Sequence, residues 1–257
     1  MRKRYEQILW PLAGLILLLI AWQLVALLVG AVYILPGPAA AVGALCDNLP
    51  LLLHHSAYTL QEALYGLALA VALAAALTAL LTLLPRLKDM LYPLLLASQM
   101  VPIIVLAPLF VIWFGFGMLP KVLVVILVCF FPMVISMLNA LAAADAETLA
   151  FYRSMGMSKW QLFHLVRWPL ALPHFFGGLR IATTYSVMGA VIGEWLGATG
   201  GLGLLLTRSK NTYNLPLTFA VIIMIVLWSA LLFGLIKLAE YQALSWKRQV
   251  GEENWGS

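Results

Sequence analysis

The chain has 257 residues, of which 64% are hydrophobic and only 10% charged, with a mean hydropathy of +1.00; soluble domains carry roughly 25% charged residues. This composition identifies an integral membrane protein and leaves little material for a soluble domain. The formal charge of +5 comes without any aromatic-interleaved basic patch, so it marks topology and excludes a nucleic-acid footprint.

About 20 apolar residues cross the hydrocarbon core of a bilayer, and an ionised side chain at its centre costs several kcal/mol. The gaps between charges therefore predict six spans, at 8–32, 59–84, 91–114, 122–144, 175–196 and 215–239. All are read as helices, because in lipid every backbone amide must be satisfied within its segment or in a closed barrel, and the alternating strands of a barrel are absent. The expected fold class is all-α, with residues 1–257 forming one transmembrane domain.

The opening MRKRYEQILWPLAGLILLLIAWQLV resembles a secretory signal. Its apolar run is too long for an h-region of about 7–15 residues, so it reads as an uncleaved first span. Cys46, between the first two spans, and Cys129, inside the fourth, are isolated thiols that suggest neither a disulfide nor a metal site. In the second span Gly66, Ala70 and Ala74 form a small-residue stripe that suits close helix packing. The third span contains Pro102 and Pro108, each lacking an amide donor, and is predicted to be kinked or broken. Broken helices at membrane depth usually line a cavity or gate, so this span is the first candidate for a translocation path; a tolerated kink is the alternative.

Between the fourth and fifth spans lies a polar, basic island, AETLAFYRSMGMSKWQLFHLVRWPLALP, at 146–173. A short helix from Ala146 to Met155 should stop at Gly156; Ser158 is a plausible N-cap for a second helix, Lys159 to Arg167, ended by Pro169. Two such helices make a knob larger than a connector needs, with Phe151, Tyr152, Met155, Trp160 and Phe163 as apolar contact surface. It suits docking to a partner, or lying on the lipid headgroups as an interfacial helix.

The fifth span repeats glycine every four residues, at Gly189, Gly193 and Gly197, again a packing stripe. Glu194 is an intramembrane acid and so a candidate gate or pathway residue, although it lies near the outer end of its helix, where a polar rim residue is ordinary. Ser186 and Ala190 share its face, while Tyr185, Met188, Ile192 and Trp195 form a neighbouring stripe that suits helix contacts or a planar ligand. There is no phosphate-binding loop, HExxH or GxSxG, and His54, His55, His164 and His174 have no coherent ligand spacing. The glycine-rich run from Gly197 to Gly203 lacks the Lys-Ser/Thr pair of an ATP cradle. No nucleophile, base or metal constellation is visible, so the residues give no support to a membrane-embedded enzyme.

Basic residues stay on the cytoplasmic side. With the N-terminus inside, only Lys121, Arg208 and Lys210 of the 15 Lys and Arg fall outside, which places both termini and the 146–173 island in the cytoplasm.

At that island the chain resembles the permease subunits of bacterial ABC importers, in the branch of the nitrate, sulfonate and taurine permeases. Their loop has the pattern Glu-Ala-Ala-x-x-x-Gly and ends in hydrophobic-x-Leu-Pro. Gly156 and Leu172-Pro173 fit, and RSMG is a close match, but Ala150, Phe151 and Tyr152 stand at the Glu-Ala-Ala positions, with Glu147 a turn earlier. The resemblance runs over nearly the whole chain, through ILPGP, HSAYTLQEALYGLALA, VPIIVLAPLFVIWFGFG and GLRIATTYSVMGAVIGEWLGATGGLG. It is strongest to permeases for the thiamine pyrimidine precursor, with riboflavin permeases close behind. It implies a multi-pass subunit of the bacterial cytoplasmic membrane, of the type I importer fold. The implied assembly is two permease copies, two cytoplasmic ATPases that carry ATP and Mg, and an extracytoplasmic binding protein. ATPase contacts are expected at Ala150, Phe151, Tyr152, Arg153, Met155 and Gly156, flanked by Lys159 and Trp160. Pro102, Pro108, Tyr185, Met188, Glu194 and Trp195 are the candidates for the path or gate. The implied substrate is of the hydroxymethylpyrimidine type; riboflavin, or nitrate, sulfonate and taurine, are the alternatives. A secondary transporter or a structural membrane subunit are the rival classes.

Overall fold

The structure, a computed structural model, describes residues 2–142, 146–195 and 197–244, with residues 2–8, 142, 146–148 and 159 described by backbone alone. Leu196, which ends the fifth predicted span, and Lys247 and Arg248 of the charge count lie outside the described residues, as do residues 143–145, where the fourth span meets the basic island.

The described residues form helices without strands: α1 (Arg2–Val29), α2 (Pro38–Asp47), α3 (Leu49–Leu83), α4 (Pro85–Ser98), α5 (Ile103–Phe114), α6 (Met118–Ala142), α7 (Ala146–Ser154), α8 (Lys159–Leu162), α9 (Trp168–Glu194), α10 (Leu202–Asn211) and α11 (Leu215–Ala243). Five stretches, within α1, α3, α6, α8–α9 and α11, are long and apolar enough to cross a membrane. The pair α4–α5, bent by 95°, makes a sixth if it counts as one broken span. Six spans agree with the sequence reading. The helices α2 and α10 were not anticipated, because each is only 10 residues long and falls in what reads as loop sequence.

The core is a trio of α3, α6 and α9. Ala63, Leu67, Ala70 and Ala74 of α3 meet Val125, Cys129, Met133 and Leu138 of α6 and Ala182, Val187 and Ala190 of α9. Gly66 of the first stripe and Gly189 and Gly193 of the second face α6, whereas Gly197 lies beyond the end of α9, against Phe116, and is not part of the helical stripe. A Cβ on Gly66 would run into the Val125 side chain; one on Gly189 would stand 3.2 Å from the Val125 Cα, and one on Gly193 3.0 Å from the Lys121 Cα. Without side chains in the way, backbones approach, and dispersion contacts accumulate where the hydrophobic effect supplies little drive. Cys129 is buried in this seam and donates its thiol to the Ala182 carbonyl at 3.1 Å. Around the trio, α11 packs on α9, α5 on α6, and α10 and α2 on α11. A second core of Leu52, Leu202, Leu205, Ala220 and Val221 joins α3, α10 and α11 at the end where α3 begins. The outlying α1 is tied down through Trp22, which stacks on Phe219 at 5.5 Å and donates to the Pro36 carbonyl.

Two expectations are corrected. The second knob helix does not end at Pro169. It passes through one π turn, Phe163–Arg167, straight into α9, so the fifth span is helical from Lys159 onward and its predicted start at Phe175 lies well inside α9. In a π turn the i→i−4 ladder is already displaced, so a proline just after it removes no bond that the helix was using. Lys121 is not an outer-loop residue either. It lies in the first turn of α6 and is buried, drawn inward by an acid on α3.

Candidate functional site

Functional side chains gather at the two ends of the trio. At one end α7 and α8 form the knob. The helix α7 stops in a Schellman motif: Gly156 adopts φ +84, its N–H donates to the Arg153 carbonyl at 3.0 Å, and the Met157 N–H reaches back to the Tyr152 carbonyl at 3.3 Å. Ser158 and Gln161 then close a capping box. The Ser158 hydroxyl accepts from the Gln161 N–H at 3.2 Å and the Gln161 side chain accepts from the Ser158 N–H at 2.9 Å. Leu149, Leu162 and Val166 form a small core of the knob's own, with Tyr152 half-buried against it. Ala150, Phe151, Met155 and Trp160 face outward, Trp160 70% exposed. The ring of Trp160 lies 4.3 Å from that of His164. Of the expected contact residues, the fold thus turns Tyr152 partly inward and presents Phe151, Met155 and Trp160. Arg153 lines a cavity between the knob and the trio. Lys159 opens α8, with its backbone alone described.

At the opposite end the last turn of α9 carries Glu194, which is 0% exposed. It is therefore no rim residue. Its carboxylate accepts from the Thr59 hydroxyl at 2.7 Å and from the Gly203 N–H at 2.5 Å. Thr59 in turn accepts from the Leu202 N–H at 2.8 Å, and His55 Nδ1 accepts from the Gly201 N–H at 3.1 Å. A Cβ on Gly201 would collide with the Glu194 carboxylate, and one on Gly203 with the Val191 carbonyl and the same carboxylate. The glycine-rich run is thus a cradle for the chain's own glutamate. Beside it, Lys121 Nζ of α6 lies 2.9 Å from Glu62 Oε1 of α3, both buried. A buried charge needs a partner or hydrogen bonds; Glu62 takes its partner from Lys121 and Glu194 its hydrogen bonds from Thr59 and Gly203, while Glu62 Oε2 is left without a hydrogen bond among the described residues. Chemically the cluster binds and positions. Among the described residues no group of three or more His, Cys, Asp or Glu is placed to hold a metal ion.

The third span breaks as its prolines predicted. Between Ser98 and Ile103 the chain turns, and Pro102 is the N-cap of α5, with extended ψ of 117°. Pro108 lies inside α5, which continues through it. On α9, Ser186, Ala190 and Glu194 share a buried face, while Tyr185, Met188 and Trp195 are exposed on the other side and Ile192 is half-buried. The six candidates for the path are thus not one site: Glu194 turns into the bundle, and Pro102, Tyr185, Met188 and Trp195 look out of it. Sequence reasoning missed His55, Thr59, Glu62 and Lys121 as members of one cluster. The readable signal was Glu62, an acid inside a predicted span that lacked any predicted partner.

The match to known proteins runs along the same helices. The family described as the binding-protein-dependent transport system inner membrane component matches residues 66–241, from the second predicted span to the end of the last. The formylaminopyrimidine transport permease protein ThiX of Halalkalibacterium halodurans is 37% identical over 96% of this chain and 99% of its own. The riboflavin transport system permease protein RibX of Chloroflexus aurantiacus is 38% identical over 95% of this chain and 93% of its own. A chain of the inward-facing MetNI methionine ABC transporter shares the fold, with a TM-score of 0.58 at 18% identity over 77% of this chain and 94% of that one. The chain therefore belongs to the binding-protein-dependent inner membrane transport family and is a permease subunit of a bacterial ABC importer.

Proposed function

We propose that this permease carries a thiamine pyrimidine precursor of the formylaminopyrimidine or hydroxymethylpyrimidine type across the inner membrane. The observation that carries this is the near end-to-end match with the ThiX permease at 37% identity, knob and cradle segments included. The equally long match with RibX supports a second reading, riboflavin; both ligands are flat heterocycles, and the exposed Tyr185, Met188 and Trp195 stripe suits either. In the proposed assembly two copies of the chain enclose the path, with Pro102, Pro108 and that stripe toward it. Glu194 holds the end of the path in shape from behind. Phe151, Met155 and Trp160 dock on a cytoplasmic ATPase that binds ATP and Mg, and an extracytoplasmic binding protein delivers the substrate. ATP-driven closure of the ATPase pair then moves the knob and, through α8 and the π turn, the continuous α9. Direction requires that substrate be bound differently in the two states.

The test is uptake of labelled ligands by the permease reconstituted with the ATPase and binding protein encoded beside it. ATP-dependent uptake of the aminopyrimidine, with riboflavin, taurine and nitrate excluded, is expected. Uptake of riboflavin alone selects the second reading, and uptake of only an oxyanion or sulfonate overturns both.

A further inference from the structure

Beneath the knob lies a cavity of about 630 Å³, within the range of small-molecule sites. Val71, Ala75 and Ala79 of α3, Met137 of α6, and Ala171 and Phe175 of α9 contribute to its apolar wall. Ala75 and Ala79 are small and exposed, so the cavity is open along α3 toward the surroundings of the bundle. Its polar groups are concentrated at the knob end. Arg153 and Arg167 both line it, none of the described residues lining it is acidic, and the Arg167 Nε is buried without a hydrogen-bond partner among the described residues. The Thr78 hydroxyl, on a residue 3% exposed, also lacks one. That is unusual within this molecule: Thr82, Thr183, Thr184 and Thr207 each donate to the carbonyl one turn back.

Arginine has donors and no acceptor, so two guanidinium groups and a hydroxyl in the wall of an apolar cavity call for an anionic acceptor with an apolar body. Position adds a further constraint. The cavity sits where the spans end and the basic knob begins, and basic pockets at that level suit lipid phosphates on the cytoplasmic leaflet. We propose that this cavity binds one anionic glycerophospholipid, its acyl chain between α3, α6 and α9 and its phosphate on Arg153 and Arg167. The lipid fills what is otherwise a void between the knob and the trio, so that a push on the knob reaches the spans through packed matter.

Native mass spectrometry of the purified, delipidated permease–ATPase complex tests this, with phosphatidylglycerol or phosphatidylcholine added back. One phosphatidylglycerol retained per permease chain is expected, at concentrations where phosphatidylcholine is not retained. Arg153→Gln with Arg167→Gln should lower retention at least tenfold, Arg167→Lys should keep most of it, and Ala79→Trp, which fills the cavity, should abolish it. Equal retention of the two lipids overturns the proposal. So does phosphatidylglycerol that survives Ala79→Trp, or glycerol phosphate that competes as well as the whole lipid. Size-exclusion profiles check each variant; if the double variant does not fold, the lipid comparison on the native complex and Ala79→Trp decide. None of these readouts depends on which substrate is carried.

Discussion

Glu194 and its neighbours show how a few side chains can dictate a backbone. A carboxylate at the end of a buried helix must find donors, and it finds them in the Gly203 amide and the Thr59 hydroxyl, which is itself held by the Leu202 amide. Gly201, at φ +116 and against the carboxylate, has no room for a side chain. Gly201→Ala should therefore lower stability by about 1–3 kcal/mol, seen as a lower thermal midpoint in detergent; an unchanged midpoint would show that the turn gives way. Lys121→Met leaves the buried Glu62 carboxylate without its cation and should cost about 3–5 kcal/mol, while adding Glu62→Gln to it should restore most of the loss. If the double variant is as unstable as the single one, Glu62 is not the partner that matters. At this scale the sequence was read half correctly. Glu194 was singled out as an intramembrane acid, but a partner 135 residues away in the chain leaves no local periodicity to read.

Among the elements, the knob was the most legible, because its signals are local. A glycine after α7 and Ser-x-x-Gln before α8 specify caps through neighbouring residues, and both caps form. Gly156→Leu forces a branched residue into the left-handed region at about 1–2 kcal/mol and, since nothing crowds that position, the damage should be to knob geometry alone. The variant should insert normally yet lose uptake while the ATPase still turns over; normal uptake would sink the coupling assignment. Ser158→Ala should loosen the start of α8 by about 1 kcal/mol, detectable as faster proteolysis of the knob. Less legible was the junction of α8 with α9, since Pro169 reads as a stop and only the π turn before it lets the helix continue.

For the molecule as a whole, the six apolar runs were plain because hydrocarbon thickness sets their length, and the small-residue stripes correctly marked the α3–α6 and α6–α9 seams. The helices α2 and α10 were hidden, being too short to cross and stabilised by the second core that only the folded bundle creates. Orientation rests on the basic residues and is open to direct test. Cys46, exposed in α2, lies at the cradle end, and Met155, exposed in the knob, at the other. An impermeant maleimide should label Cys46 in intact cells, whereas Met155→Cys, in a Cys46→Ser background, should react only after permeabilisation. The reverse pattern would invert the topology.

The length of α3 carries a mechanical consequence. Its 35 residues make a rod of about 52 Å, against a hydrocarbon thickness of about 30 Å. Such a rod must lean or protrude, and its two ends are the places where the glutamate cradle and the cavity beneath the knob are attached. A tilt of only a few degrees sweeps the two ends in opposite directions, so one continuous helix ties any movement at the glutamate cradle to the cavity beneath the knob.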